Sequence, residues 1–326
     1  MRTEITNRAF IAWRRLSNRT KKLAKILNMR LFFIRDMPPY IIALLSTIFF
    51  LLKVKPKSVF IQLPQGPLLI VAVILKKVLK YKLIADVHTA FLFHTSLKVS
   101  ILNKPFVHCL KFCDLIIVHN DEIRREFIKD ENLRRKTVVI QDPLIEFKGE
   151  KRIGRKESIK FIFPASFSPD EPIESVITAF SELIREGHNC ILYITGNWKR
   201  KKHLRKYASK NIIFTGFLSK SDYESILASS DVIIALTTRE YTFLSAAAEG
   251  LAAEKPLILS KTKTLRRIFK KGAIFVSPRD VGDIKKALRL MLNEDIRQKL
   301  MTEIKELKKE YIIKLSKRLD VIRNIL

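Results

Sequence analysis

SVFIQLPQGPLLIVAVILKKVLKYKLIADV, residues 58–87, is the stretch that decides the fold. Residues 58–62 and 82–85 are short apolar runs, and residues 68–79 between them have the length and composition of a helix. Short β-branched runs that alternate with helices are typical of parallel strands covered on both faces. The stretch therefore predicts one strand–helix–strand unit of an α/β, doubly wound sheet.

The same alternation extends in both directions along the 326 residues. It begins with a strand at residues 9–13, restarts after a charged segment at 147–160, and ends in a basic helical stretch at 294–326. A chain of this length suits two domains. We expect two doubly wound Rossmann-like domains, residues 1–150 and 151–310, that face an interdomain cleft, with the linker at 147–160.

Helix starts in the second half are predicted from capping residues. SPDE at 168–171 and SDYE at 221–224 have a Ser at the N-cap position and a Glu three residues later. A small-residue helix is expected to begin near Thr242, with Glu249 about two turns into it.

The composition excludes several classes of site. Only nine glycines occur, with neither GxGxxG nor a Walker A motif, which argues against a glycine-rich nicotinamide or ATP site. Three cysteines without a CxxC pair predict neither a zinc site nor a disulfide framework, so we expect no metal and no cofactor.

The net charge of +30 favours an anionic partner: a phosphate compound, an anionic membrane surface or nucleic acid. A lysine-rich solvated surface is the alternative. No nucleic-acid-reading module is recognisable, and we expect no nucleic-acid partner.

The most apolar stretch, YIIALLSTIFFLL at residues 40–52, would span about 20 Å as a helix, less than the roughly 30 Å hydrocarbon core of a bilayer. It is interpreted either as a buried helix or as an interfacial helix flanked by Lys53, Lys55 and Lys57. The N-terminus lacks a signal-peptide pattern, and we expect a cytoplasmic protein, peripheral at the inner face of the membrane.

Polar residues directly follow two strands of the first half. Arg14 and Arg15 follow the first strand and are candidates for contact with phosphate or acceptor, the alternative being a solvated turn. Asp86 and His88 follow the strand at 82–85, where a histidine two residues after a carboxylate can act as acid or base. His94 and His119 are weaker candidates, and a lone histidine is usually structural.

TTREYTFLSAAAEG, residues 237–250, is the most informative stretch of the second half. A helix that begins after a polar loop presents free N–H groups and a positive dipole end to an anion. Glu249 is then placed to accept hydrogen bonds from a ribose diol. A tightly packed Ala-rich helix with an exposed Glu is the alternative.

EGLAAEKPLI at 249–258 resembles the E-A-x-A-x-G-x-P-x-V signature of GT4-type (group 1) glycosyltransferases, which have the GT-B fold. TGN at 195–197, FTGF at 214–217 and ASSD at 228–231 stand in the order that this family uses. PASFSPDEPI at 164–173 and DVH at 86–88 resemble loops of the chitobiosyldiphosphodolichol β-mannosyltransferase group.

The resemblance implies a hexosyltransferase that uses a nucleoside-diphosphate sugar and a glycan or lipid-linked acceptor, without metal. Asp86 and His88 would face sugar and acceptor, Glu249 would hold the donor ribose, and a terminal helix at 311–326 would pack back on the first domain. The implied donor-binding residues are Ser166, Gly196, Asn197, Glu240, Thr242, Phe243, Leu244, Ser245 and Glu249.

Three departures from the family pattern bear on mechanism. The loop at 166–171 contains no cation, Glu240 stands nine residues before Glu249 instead of eight, and Glu254 replaces the glycine before Pro256. They favour an inverting mechanism with Asp86 or His88 as base. A sugar-nucleotide epimerase or hydrolase on the same scaffold, an inactive homologue and a basic nucleic-acid binder stay open as alternatives.

Overall fold

The computed structural model describes residues 7–92, 105–145 and 158–326. The chain divides into two units. Unit 1 comprises Met1–Pro143 and Lys314–Leu326, and unit 2 comprises Leu144–Ile313. Residues 147–157 of the linker predicted at 147–160 lie outside the described residues.

Unit 1 contains a six-stranded parallel sheet in the order β2-β1-β3-β4-β5-β6. Its central strands are buried on both faces, as the apolar runs predicted. The strands are β1 Arg8–Trp13, β2 Arg30–Ile34, β3 Ser58–Leu63, β4 Lys82–Val87, β5 Leu115–Val118 and β6 Thr137–Val139.

Helices connect these strands. One core of unit 1 packs Phe10 and Phe60 of the sheet against Leu23 of the first helix and Leu319 of the last. The helices of this part of the chain are α1 Asn18–Ile26, α2 Ile41–Val54, α3 Gly66–Leu79, α4 Thr89–Leu92, α5 Asp121–Phe127 and α6 Glu131–Arg135.

Unit 2 contains a second six-stranded parallel sheet, in the order β12-β11-β10-β7-β8-β9. The strand order changes direction between β7 and β10, as it does between β1 and β3 in unit 1. Ligands of open α/β sheets bind at such switch points, beyond the carboxyl ends of the strands. The strands are β7 Ile159–Pro164, β8 Cys190–Thr195, β9 Ile212–Gly216, β10 Val232–Ala235, β11 Leu257–Ser260 and β12 Ala273–Val276.

The last helix is continuous over 32 residues. Its Ile304 and Tyr311 belong to the core of unit 2, and its Leu315 and Ile322 belong to the core of unit 1. The helices of this half are α7 Ile173–Arg185, α8 Lys220–Ser229, α9 Ser245–Ala253, α10 Lys263–Ile268, α11 Val281–Leu290 and α12 Glu294–Ile325.

The prediction of two doubly wound α/β domains is confirmed, but three predicted helix starts are wrong. Residues 168–171 form a loop and α7 begins at Ile173. Glu171 reaches back to the Ser168 amide as predicted, but the Ser168 hydroxyl donates to Asp170 Oδ1 instead of capping a helix. The N-cap of α8 is Ser219, which accepts from the Asp222 amide two residues before the predicted cap.

Helix α9 begins at Ser245, three residues after the predicted start at Thr242. Glu249 therefore lies one turn into the helix instead of two. Helix α2 has one buried side and one exposed side, so the buried-helix interpretation of residues 40–52 is wrong. Among the helices of the described residues, none combines the length and apolar character needed to cross a bilayer.

Candidate functional site

Asp86, at the end of β4, is the centre of a buried ionic network at the carboxyl edge of the unit 1 sheet. The Arg19 Nε atom of α1 donates to both carboxylate oxygens, at 3.1 and 3.2 Å. Arg19 Nη1 also donates to Asp142 Oδ1 at 2.6 Å. Asp86 is fully buried and Arg19 almost so. One cation thus joins two carboxylates that follow different strands.

The network keeps its members charged. Burial opposes ionisation of Asp86, but the Arg19 guanidinium, helped by His88 and His119, holds the pKa of that carboxyl far below its usual range. Burial likewise opposes ionisation of Asp142, whose pKa Arg19 lowers. The two carboxylates raise the pKa of Arg19 above its ordinary value against the effect of burial.

Two histidines extend the network. His88 Nε2 lies 3.3 Å from Asp86 Oδ2, and the His88 side chain is 18% exposed. His119, at the end of β5, places Nδ1 3.5 Å from Asp142 Oδ1, and its ring meets the His88 ring edge-on at 4.8 Å between centroids. Burial, followed by the charge of Arg19, lowers the pKa of His119 to about 3. His119 is therefore neutral at physiological pH.

Asp86, His88 and His119 lie close enough to share a cation, since one ligand atom from each falls within 4.8 Å of the others. However, the Arg19 guanidinium already contacts both oxygens of Asp86, and its positive charge repels a divalent ion at that position. Metal independence stays a prediction.

Gln62, at the end of β3, fixes the turn that delivers Arg19. Its Oε1 accepts from the Ser17 amide at 3.1 Å and the Thr20 hydroxyl at 2.7 Å, while its Nε2 donates to the Arg15 carbonyl at 2.7 Å. Ser17 caps α1 by accepting from the Thr20 amide. The start of the helix that carries Arg19 is thereby tied to the neighbouring strand.

Sequence reasoning missed most of this network. Neither Arg19 nor Asp142 was singled out as a site residue. Two further buried groups, Gln65 Oε1 and Gln141 Oε1, have no hydrogen-bond partner among the described residues. Buried polar atoms without partners usually mark a place for water or ligand. The signal that could have identified Gln65, Gln141 and Asp142 is their position just beyond the ends of strands.

The predicted phosphate candidates Arg14 and Arg15 are exposed at the switch point between β1 and β3. Arg14 has a φ of 63° and donates its amide to the Ile34 carbonyl. The turn is held by this backbone contact and by Gln62 Nε2, which donates to the Arg15 carbonyl, and both arginine side chains are at the surface. His94 lies outside the described residues.

The loop after β7 closes on itself at the carboxyl edge of the unit 2 sheet. The Ser166 amide and hydroxyl donate to Glu171 Oε1 at 3.1 and 2.8 Å. Gly196, at the end of β8, has a φ of 100°, and a Cβ there would lie 1.9 Å from the Ala165 carbonyl oxygen. Ser166 and Gly196 are thus on adjacent loops, and only glycine allows the close approach.

Asp170 links this loop to the end of β10, across the switch point. Its Oδ2 accepts from the buried Thr237 hydroxyl at 2.7 Å, and its carbonyl accepts from the Thr238 amide at 2.8 Å. Burial opposes the lowering of its pKa, but hydrogen bonds from Ser168 and Thr237, with the charge of Arg239, bring it below the usual value.

Two arginines from other loops supply the cations that the sequence of loop 166–171 lacks. Arg200 Nη1 donates to the Ser166 carbonyl at 3.2 Å, and Arg239 Nε lies 3.5 Å from Asp170 Oδ1. Both side chains are largely exposed. Asn197 precedes the 3-10 segment Trp198–Tyr207 that carries Arg200, and its carbonyl accepts from the Arg200 amide. The sequence interpretation missed both arginines.

Helix α9 starts without a side-chain cap, because its N-cap residue is Leu244. Its first-turn N–H groups therefore face the carboxyl edge without a side-chain acceptor. Ser245 is exposed, and Glu249 is half-buried, with its carboxylate accepting a hydrogen bond from the Tyr223 hydroxyl. Tyr223 was not singled out from the sequence.

The remaining donor-site candidates precede α9. Thr242 and Phe243 are half-buried, and the Thr242 hydroxyl donates to the Glu240 carbonyl at 3.3 Å. The exposed Glu240 directs its carboxylate to the first turn of α10, where Oε2 accepts from the Lys263 amide at 2.9 Å. Glu240 therefore contacts the start of α10, whereas Glu249 lies within α9.

Glu254, which replaces the family glycine, ends α9 with a left-handed φ of 57°. This conformation is the one that favours glycine at a helix C-terminus. Lys308 Nζ contacts Glu254 Oε1 at 2.9 Å and the Ala252 carbonyl at 2.8 Å. Glu254 therefore adopts a backbone conformation that would suit glycine.

Comparison with known proteins gives a family match and strong fold matches. The family described as "Glycosyl transferases group 1" matches residues 146–310, half of the chain. No curated protein matches the sequence.

Among solved structures, a glycosyltransferase from Rickettsia africae ESF-5 has a TM-score of 0.76 at 12% identity, covering 98% of both chains. Anabaena HepE in complex with UDP and glucose has a TM-score of 0.76 at 12% identity, covering 98% of this chain and 100% of its own. Sucrose-phosphate synthase from Thermosynechococcus elongatus gives the same score and identity, with 98% of both chains covered. The β-mannosyltransferase likeness of two loops is not tested by these matches.

Proposed function

The chain belongs to the glycosyl transferases group 1 family, and we propose that it moves a hexose from a nucleoside-diphosphate sugar to a glycan or lipid-linked acceptor, without a bound metal. The donor class is supported by structures of the same fold, since Anabaena HepE was solved with UDP-glucose and with UDP and glucose. A trehalose-phosphate synthase from Burkholderia xenovorans described as UDP-forming is also similar. UDP-sugars are therefore the first donors to test.

The observation that carries the proposal is Glu249, half-buried one turn into a helix that begins without a side-chain cap. The free amides and the dipole of α9 favour a diphosphate at its start. A carboxylate one turn further on is placed to accept hydrogen bonds from a ribose diol. Arg200 and Arg239, on neighbouring loops, add positive charge that stabilises the leaving diphosphate.

His88 is the better candidate for the base, because Asp86 is fully buried and bonded to Arg19. His88 Nε2 lies 3.3 Å from Oδ2 of the ionised Asp86, a position that favours the proton on Nε2 and would leave Nδ1 with its lone pair. That nitrogen would take the proton of an acceptor hydroxyl as its oxygen attacks the sugar and the diphosphate departs. Asp86 then acts as a positioning residue.

We place the enzyme in the cytoplasm, peripheral to the inner face of the membrane, in the synthesis of a cell-envelope glycan or a glycosylated protein. The net charge of +30 favours an anionic surface, and Cys109, Cys113 and Cys190 are free thiols, which suits a reducing compartment.

The first experiment measures the thermal stabilisation of the pure protein by UDP, GDP and ADP and by their sugars. One nucleotide class is expected to raise the Tm in the native protein and not in Glu249→Ala. Glu306→Ala changes an exposed carboxylate of α12 and is the matched control, which should respond as the native protein does.

The second arm supplies the stabilising donor with extracted lipid-linked acceptors and detects the free nucleoside diphosphate. His88→Asn should abolish turnover and keep the donor-induced Tm shift. No stabilisation by any nucleotide contradicts the proposal. Free sugar released equally with and without acceptor would instead indicate a hydrolase.

A further inference from the structure

Helices α2 and α3 of unit 1 expose a row of large apolar side chains. On α2 these include Leu45 and Phe49, and Phe49 is 68% exposed. On α3, Ile74 and Val78 lie one turn apart, and Val78 is 69% exposed. The full set, here called the apolar face, is Ile41, Ile42, Leu45, Phe49, Leu52, Ile70, Ile74 and Val78.

The apolar face is one continuous surface. Helices α2 and α3 contact each other and both connect parallel strands in the same direction across the sheet. Their exposed residues recur at spacings of three and four, which places each set on one side of its helix. Scattered exposed apolar residues are ordinary, but a contiguous face of this kind marks an interaction site.

The charge around the apolar face has one sign. Residues 30–82 contain nine Lys or Arg and a single acidic residue, Asp36. Asp36 is engaged in capping α2, where it accepts from the Ala43 amide. Lys53, Lys55, Lys57, Lys77 and Lys80, at the carboxyl-terminal ends of the two helices, are exposed and have no carboxylate partner among the described residues.

A groove of about 750 Å³ opens on the same side, between β2 and α2. Phe32 and Phe50 stack in it with 4.0 Å between ring centroids, and Arg30 and Lys53 also line it. An apolar lining with two cations suits a molecule that has a hydrocarbon part and a phosphate. Phospholipids combine these two features.

We propose that the apolar face and its lysines dock unit 1 on an anionic phospholipid bilayer, with the apolar residues at the level of the acyl chains and the lysines at the headgroups. A second copy of the chain fits less well, because a two-fold contact would bring like-charged lysine clusters together. The inference rests on the peripheral location in the proposed function, for which it names the docking face and the lipid class, and it does not depend on the transfer reaction.

The test is flotation of the full chain with vesicles of phosphatidylcholine alone or mixed with phosphatidylglycerol. The native protein should float with the anionic vesicles. Replacing Lys53, Lys55 and Lys57 by Glu should weaken partitioning by roughly 100-fold or more, since each lysine near the surface contributes about fivefold. Phe49→Asp should weaken it by roughly tenfold.

Two controls separate the effect of the apolar face on flotation from the effects of net charge and of exposed hydrophobic side chains elsewhere. Replacing Lys210, Lys299 and Lys305 by Glu makes the same change in net charge elsewhere, and Phe217→Asp alters an 82% exposed phenylalanine of unit 2. Both control variants should float as the native protein does. Circular dichroism and donor-induced Tm shifts establish that every variant is folded.

The proposal is overturned if the native protein does not float, or if the two lysine triples weaken binding equally. It is also overturned if Phe49→Asp converts a dimer to a monomer in sedimentation equilibrium while flotation is unchanged. None of these outcomes bears on nucleotide-sugar binding, which the Glu249 experiment measures separately.

Discussion

The carboxyl edges of the two sheets are held by different kinds of interaction. In unit 1 the edge holds a buried ionic network, with Arg19 between Asp86 and Asp142 and two histidines against it. In unit 2 the edge is held by hydroxyls, amides and a glycine contact, and its arginines are largely exposed. Two parallel sheets of six strands thus present different chemistry in the same position.

The difference fits the two tasks proposed for these edges. A buried network with fixed charges holds a histidine in one tautomer, which proton transfer requires. An uncapped helix start with small residues and exposed arginines leaves room and positive potential for an anion. In the proposed function, the first edge is organised before a ligand arrives, and the second is completed by one.

The largest expected effect is on the stability of unit 1. Arg19→Met leaves Asp86 and Asp142 buried without their cation and should cost about 3–5 kcal/mol. Arg239→Met removes a 58% exposed partner of Asp170 and should cost less than about 1 kcal/mol. The two tryptophans report on different units, Trp13 in β1 and Trp198 after β8, so urea unfolding is followed in Trp198→Phe and Trp13→Phe backgrounds.

The control for the Arg19 effect is Arg19→Lys, which keeps the charge and loses the fork that joins two carboxylates. It should fall between the native protein and Arg19→Met. Equal losses for Arg19→Met and Arg239→Met would mean that the two edges do not differ in the way proposed.

A second effect is a pH dependence that His119 gives to the stability of unit 1. Buried His119 has a pKa of about 3, whereas an unfolded histidine titrates near 6.5. The contribution of neutral His119 to the free energy of unfolding is therefore complete above pH 6.5 and is lost as the pH falls towards 3, because only the unfolded state takes up the proton in that range. At pH 5 the loss amounts to about 2 kcal/mol. His119→Gln should remove this part of the decline, measured by urea unfolding with Trp13 fluorescence.

His203→Gln is the matched substitution in unit 2, where the histidine is 63% exposed. It should leave the pH dependence of unfolding unchanged. If His119→Gln declines as steeply as the native protein between pH 7 and pH 5, His119 is not held neutral by its surroundings.

The sequence predicted the fold because each buried strand is a short apolar run between helices, and no distant residue is needed to recognise it. The family resemblance, carried by the ordered motifs around residues 249–258, is confirmed. The capping boxes at 168–171 and 221–224 failed for a different reason. The Ser168 hydroxyl is engaged by Asp170, and Ser219 offers an equivalent cap two residues earlier.

The site was only partly predictable, since its partners are far apart in sequence. Asp86 and His88 are neighbours and were identified together, whereas Arg19 contacts Asp86 across 67 positions of the chain and Asp142 contacts Arg19 across 123. The cations of the unit 2 edge were judged absent because only loop 166–171 was considered. Arg200 and Arg239 come from loops that follow other strands.

The smallest effect tests whether backbone conformation outweighs exposed charge in unit 2. Glu254 adopts a left-handed φ of 57°, which costs a non-glycine residue about 1 kcal/mol or more, and its half-exposed pair with Lys308 returns a few tenths. Glu254→Gly should therefore raise the free energy of unfolding by about 0.5–1 kcal/mol, measured with Trp198 fluorescence. Glu254→Ala loses the ion pair and keeps the strain, so it should lie below the native protein. If glycine proves no better than alanine, the left-handed conformation costs nothing at this position; if both variants also fall below the native protein, the pair with Lys308 is the stronger interaction, and charge matters at this end of α9 as it does at the edge of unit 1.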